Sequence, residues 1–103
     1  MYGTIARLRF KPGSEGDLPG LLREFEEPRV LGAVGTYAYR MDADPGECYL
    51  VVMFDSKESY VANAESPGQD ARYRKMLEHL VAEPEWHDGE IVYEGVYART
   101  TGI

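Results

Sequence analysis

Trp86-His87-Asp88 sets the only tryptophan of the chain beside one of its two histidines and a carboxylate. An imidazole next to a carboxylate can serve as a general base with a pKa near neutrality. Between Glu83-Pro84-Glu85 and Gly89 the triplet is predicted to lie in a loop, where functional residues concentrate. The competing reading is structural: Trp86 plugs a gap between helix and sheet, and His87 is solvated or caps a turn. A second group, Tyr60, Asn63, Arg72 and Tyr73, brackets Ser66-Pro67-Gly68-Gln69, where a helix is expected to break and so shape a pocket entrance. Tyr73 equally fits a core position by its helical spacing, and Arg72 and Asn63 a solvated face.

Eight tyrosines are many for 103 residues, and Tyr37, Tyr39, Tyr49, Tyr93 and Tyr97 all fall on expected strands. They suit an aromatic-binding pocket or a subunit seam, since tyrosine combines apolar area with a polar tip. His79 and His87 with Glu83, Glu85, Asp88 and Glu90 superficially suggest a metal site, but their spacing lacks the tight pairing that two imidazole ligands prefer, so no metal is expected. There is no glycine-rich phosphate loop, no thiol pair and no G-x-S-x-G nucleophile turn.

The elements that position these residues follow from composition and periodicity. A chain of 103 residues with 44% apolar and 28% charged residues suits one globular domain spanning 1–103. A net charge of −7 with scattered cations repels a phosphate backbone, so no nucleic-acid partner is expected. Cys48 is the only cysteine, which points to a reducing compartment, and Arg7 and Arg9 interrupt the first apolar stretch, leaving no signal-peptide core. No apolar run is long enough to span a membrane. The expected location is the cytoplasm.

Tyr2 to Phe10 alternates, with Thr4, Ala6, Leu8 and Phe10 on one side and Ile5, Arg7 and Arg9 on the other, and reads as a strand. After Lys11-Pro12-Gly13, Ser14 is the expected N-cap of a helix carrying Leu18, Leu21, Leu22 and Phe25 and closing near Glu27-Pro28. Gly32 to Met41 is a second strand, returned by Asp42-Ala43-Asp44-Pro45-Gly46 as a hairpin. Asp55 with Glu58 is expected to cap a short helix holding Tyr60, Val61 and Ala64, and Ser66 to start another that buries Tyr73, Met76, Leu77, Leu80 and Val81. Glu90 to Arg99 alternates again and is expected to be the fourth strand.

The order β-α-β-β-α-β predicts a ferredoxin-like α+β fold, with a four-stranded antiparallel sheet and both helices on one face. The third strand, Cys48 to Phe54, offers apolar or aromatic side chains to both faces. A strand covered on one side only alternates, so this one demands cover on both sides, and the helices supply only one. The expected partner is a second copy of the chain on the open face.

Three features resemble the antibiotic-biosynthesis-monooxygenase-like family of dimeric α/β barrels: strand one running into Lys11-Pro12-Gly13, the apolar third strand ending in Phe54-Asp55-Ser56 before Tyr60, and Asp88-Gly89-Glu90. The resemblance covers nearly the whole chain and implies a homodimer in which each subunit keeps a pocket between sheet and helices. It includes cofactor-free oxygenases of aromatic quinols and haem-degrading enzymes. The haem-degrading branch implies an asparagine where Ala6 stands and a histidine partway along the second helix, where none lies between Ser66 and Glu78; His79 is close to the helix end. Resemblance to the quinol branch implies that Trp86, Tyr60 and Asn63 bind a small aromatic molecule. It also implies that His87, or Tyr73 with Arg72, assists proton removal, so that the phenol anion can reduce oxygen without a cofactor. The expected function is therefore a cofactor-independent monooxygenase-like protein acting on a quinol or polyketide-like substrate. The competing class is a non-catalytic dimeric ligand-binding or stress-response protein of the same fold.

Overall fold

The structure is a computed structural model that describes residues 1–24 and 30–99. Its elements in chain order are β1 (Tyr2–Arg9), α1 (Leu18–Arg23), β2 (Ala33–Arg40), β3 (Glu47–Phe54), α2 (Lys57–Ala64), α3 (Pro67–Leu77) and β4 (Glu85–Glu90). The strands form one antiparallel sheet in the order β2-β3-β1-β4. This is the predicted ferredoxin-like arrangement, with α2 and α3 together occupying the place of its second helix.

Alternation along β1 sets the two faces of the sheet. Thr4, Ala6 and Leu8 are buried with Phe10 just beyond the strand, whereas Ile5 and Arg9 are exposed. Pairing carries this division across the sheet, because Ala6 sits opposite both Leu50 on β3 and Trp86 on β4. Leu18 and Leu21 of α1 and Met76 of α3 pack on that inner face with Ala6, Leu8, Cys48 and Leu50. The Tyr60 ring of α2 covers its far end, 5.3 Å from Tyr2 and 5.6 Å from Phe54. The other face presents Ile5, Tyr37, Tyr39, Val51 and Met53, with no helix over it among the described residues.

Local chemistry moves several boundaries from their expected places. Ser14 is not the N-cap of α1: its N–H donates to Lys11 O in a turn, and the helix begins after Asp17. Pro19 explains this, since a helix starting at Ser14 would bury the proline ring against a carbonyl one turn back, whereas a start at Leu18 leaves it in the first turn. Phe25 and Glu27-Pro28 lie outside the described residues. Ser56, not Asp55, caps α2, with its Oγ accepting the Ser59 N–H at 3.1 Å, while the Asp55 N–H donates to Gly32 O and so belongs to the sheet side of the boundary. The expected break and restart is present: Ser66 Oγ accepts the Gln69 N–H at 3.2 Å, and Pro67 opens α3. Val81 is 54% exposed rather than packed, because α3 ends at Leu77 and helical spacing no longer applies beyond it.

The largest correction concerns the fourth strand. It spans Glu85–Glu90, so Trp86, His87 and Asp88 sit on a strand and not in a loop, while residues 91–99 carry no regular secondary structure. Register gives the reason. Glu90 pairs with Tyr2, the first residue of β1, and the Ile91 N–H donates to Met1 O, so β1 offers nothing further to pair with.

Candidate functional site

A cavity of about 730 Å³ lies between the inner face of the sheet and the helices. Its floor is built by Thr4, Leu50, Val52 and Phe54, its side by Trp86 and Asp88 of β4, and its roof by Tyr60, Asn63, Gln69, Tyr73 and Met76. Trp86 and Val34, both lining residues, are 42% and 49% exposed, so the cavity is open to solvent. The α2–α3 break contributes directly, because Asn63 precedes it, Gln69 follows it, and both reach the same space.

Strand period places Asp88 and Trp86 on the cavity side. Asp88 pairs with Thr4 and Trp86 with Ala6, both on the buried face. The Tyr60 hydroxyl donates to Asp88 Oδ1 at 2.7 Å and so ties α2 to the edge strand. Burial, and secondarily this bond to a carboxylate, pushes the Tyr60 phenol up to about 12, against a weaker opposing effect of the nearby Thr4 hydroxyl. Thr4 is only 4% exposed, yet its Oγ1 makes no hydrogen bond of proper geometry, and Gln69 Oε1 is likewise buried without a partner. Tyr73 and Trp86 face one another with ring centroids 6.0 Å apart.

Of the residues singled out from sequence, Tyr60, Asn63, Tyr73 and Trp86 meet around this cavity. His87 and Arg72 do not line it. His87 pairs with Ile5 and points to the opposite face of the sheet, so it cannot couple to Asp88: adjacent strand residues face opposite ways. The Arg72 guanidinium lies beside Gly68 at the start of its own helix. The two histidines do not meet either, since His79 contacts Asp17 Oδ2 at 2.9 Å on the helix side. Among the described residues no three His, Cys, Asp or Glu side chains converge as a metal cluster, and no helix is long and apolar enough to cross a membrane. Sequence reasoning missed Thr4 and Gln69 as site residues. Thr4 carried a legible signal, being the polar member of an otherwise apolar inward set with Ala6, Leu8 and Phe10.

No known family profile matches the sequence, and no curated protein matches it. Solved structures do match over most of their length. A Chloroflexus aurantiacus protein provisionally named an antibiotic biosynthesis monooxygenase shares 23% identity, covers 92% of this chain and 96% of its own, and superposes with a TM-score of 0.77. A Bordetella bronchiseptica protein with the same provisional name shares 20% identity over 89% and 97% of the two chains, with a TM-score of 0.76. A Nitrosomonas europaea protein of unknown function shares 18% identity over 95% of each, with a TM-score of 0.74. The resemblance drawn from sequence is thus present at the level of fold, and at these identities the likeness extends to the fold alone.

Proposed function

We propose that the cavity binds a small aromatic molecule and that the protein is a cofactor-independent monooxygenase-like enzyme acting on a quinol or polyketide-like phenol. The observation that carries this reading is the Tyr60–Asp88 pair set in an aromatic, half-open cavity. Asp88 Oδ1 is held by the Tyr60 hydroxyl, which leaves the second carboxylate oxygen to accept the proton of a bound phenol. Asn63 and the Trp86 indole N–H supply neutral donors for the phenolate oxygen, and Tyr73 and Trp86 offer faces for the ring.

The phenolate then passes an electron to dioxygen, the resulting phenoxyl and superoxide radicals combine in a C–O bond, and the proton taken up by Asp88 returns to the peroxide to give a hydroperoxide. Loss of water from a substrate CH2 position leaves a carbonyl, so one oxygen atom enters the product and the other leaves as water. His87 and Arg72 have no part in this scheme.

We further propose that two copies associate through the open sheet face, which is rich in Tyr37, Tyr39, Ile5, Val51 and Met53. The exposed side chains Val92 and Tyr97, at 89% and 83%, add apolar area suited to the same assembly.

One observation favours the non-catalytic reading: among the described residues no Lys or Arg lines the cavity, so a phenolate would rely on neutral donors alone. Oxygen uptake with a panel of quinols and anthrones separates the two. Turnover above a buffer control that drops at least 10²-fold in Asp88→Asn, in line with the usual contribution of a positioned base, supports the enzyme. Wild-type protein that consumes no oxygen with any of them is a binder.

A further inference from the structure

The polar groups of the cavity are not neutral as to what they accept. Gln69 Oε1 is buried and can only accept a hydrogen bond. Thr4 Oγ1 is buried and unpartnered on the floor beside Asp88, with which its strand is in register. The single Tyr60 proton is already committed to Asp88 Oδ1, which leaves the other carboxylate oxygen of Asp88 as a further acceptor. Asp70, the second lining carboxylate, shares its charge with Arg74 at 3.0 Å, whereas the partner of Asp88 is a neutral hydroxyl that does not cancel its charge. Asn63 and Trp86 line the same space as uncharged donors.

From this asymmetry we infer that the cavity selects uncharged aromatic molecules bearing hydroxyl donors and rejects carboxylated or phosphorylated ones, with Asp88 as the residue that sets the discrimination. A hydroxylated ring gives the acceptors of Gln69 and Asp88 a donor and the Thr4 hydroxyl, which can donate or accept, a partner, while its own oxygens accept from Asn63 and Trp86. An anion of the same shape brings further acceptors to Gln69 Oε1 and Asp88, which cannot donate, and a like charge to Asp88. The overall charge of −7 adds to the bias during approach. This inference rests on the cavity being the ligand site proposed above, but not on turnover.

The test is binding under argon, read by quenching of Trp86 fluorescence and checked by calorimetry. The probes are 1,4-dihydroxynaphthalene, its dimethyl ether and 1,4-dihydroxy-2-naphthoate. The neutral diol is expected to bind at least tenfold more tightly than either analogue. Asp88→Asn should bring the naphthoate to within about threefold of the diol. Thr4→Val, which keeps the side-chain shape and removes the unpartnered hydroxyl, should weaken the diol at least threefold. Equal or tighter binding of the naphthoate by wild type, or an unchanged ratio in Asp88→Asn, overturns the inference while leaving the cavity as a ligand site. Failure of all three probes to bind overturns both. Selective binding without oxygen uptake supports the inference and removes only the catalytic reading.

Discussion

The Tyr60 hydroxyl reaches Asp88 Oδ1 at 2.7 Å across 28 residues of sequence, and this bond joins the helical layer to the edge strand. Each side is placed by a separate local device. Ser56 caps α2 and fixes the rotation that presents Tyr60, while antiparallel pairing with β1 turns Asp88 inward opposite Thr4.

Tyr60 should titrate well above the ordinary tyrosine value. Its phenol is pushed up to about 12, first by burial and then by the Asp88 carboxylate. Absorbance at 295 nm during alkaline titration is expected to show one tyrosine ionising near that value, and the step should vanish in Tyr60→Phe. Asp88→Asn should lower the step but keep it above the ordinary value of 10, because burial is the larger cause. Because the folded pKa exceeds the unfolded one, the contribution of Tyr60 to stability is complete below pH 10 and is lost as pH rises through about 12. A Tyr60→Phe variant whose unfolding shows the same alkaline slope as wild type would contradict this assignment.

Ser56→Ala and Ser66→Ala should each cost about 1 kcal/mol, because each removes a side-chain acceptor from an otherwise orphaned backbone N–H. Gly32→Ala should cost more than either. Gly32 has φ +84, and a methyl group there would meet the Ser59 side chain at 2.5 Å, so backbone strain and a clash add together. Urea denaturation orders the three, and a Gly32→Ala variant as stable as Ser56→Ala would show that the β2 entrance yields freely.

The sequence made the sheet legible because its signals are periodic. The inward set of β1, the two-sided run of β3 and the Asp44-Pro45-Gly46 turn each say one thing, and Asp44 Oδ1 does accept the Gly46 N–H at 2.9 Å. The fourth strand was not legible. Ile91 to Tyr97 alternates more convincingly than Glu85-Trp86-His87-Asp88-Gly89-Glu90, yet β1 begins at Tyr2 and has no partner to offer beyond Glu90. Where a strand pairs is a property of its neighbour's length, which periodicity within the strand does not report. The same error hid the site: read as a loop, Trp86-His87-Asp88 looked like one cluster, whereas on a strand His87 leaves and Asp88 stays.

Core truncation should separate the two ends of the sheet. Phe54 and Leu8 are among the largest fully buried side chains, so Leu8→Ala, among the packed core of α1 and α3, should cost about 3–5 kcal/mol. Phe54→Ala should cost a comparable amount, but Phe54 also touches the Tyr60 ring and lines the cavity, so that variant alone should loosen the Tyr60–Asp88 bond and lower the alkaline step in the tyrosine titration. Equal effects of both variants on that step would mean that Phe54 does not position Tyr60.

The open sheet face yields the prediction on assembly. Val51 and Met53 alternate with the buried Leu50 and Phe54 and the half-buried Val52, and Tyr37 and Ile5, the two pairing partners of Val51, are 61% and 49% exposed in the single chain. Apolar area of this kind on an uncovered sheet favours association, and one charge at its centre should undo it because the ion would have to be desolvated without a partner. Sedimentation at micromolar concentration is therefore expected to give a dimer for wild type and a monomer for Val51→Lys. Val61→Lys, on the exposed side of α2, is the control and should stay dimeric. A stable wild-type monomer, or a dimer that survives Val51→Lys and fails with Val61→Lys, would move the interface away from the sheet.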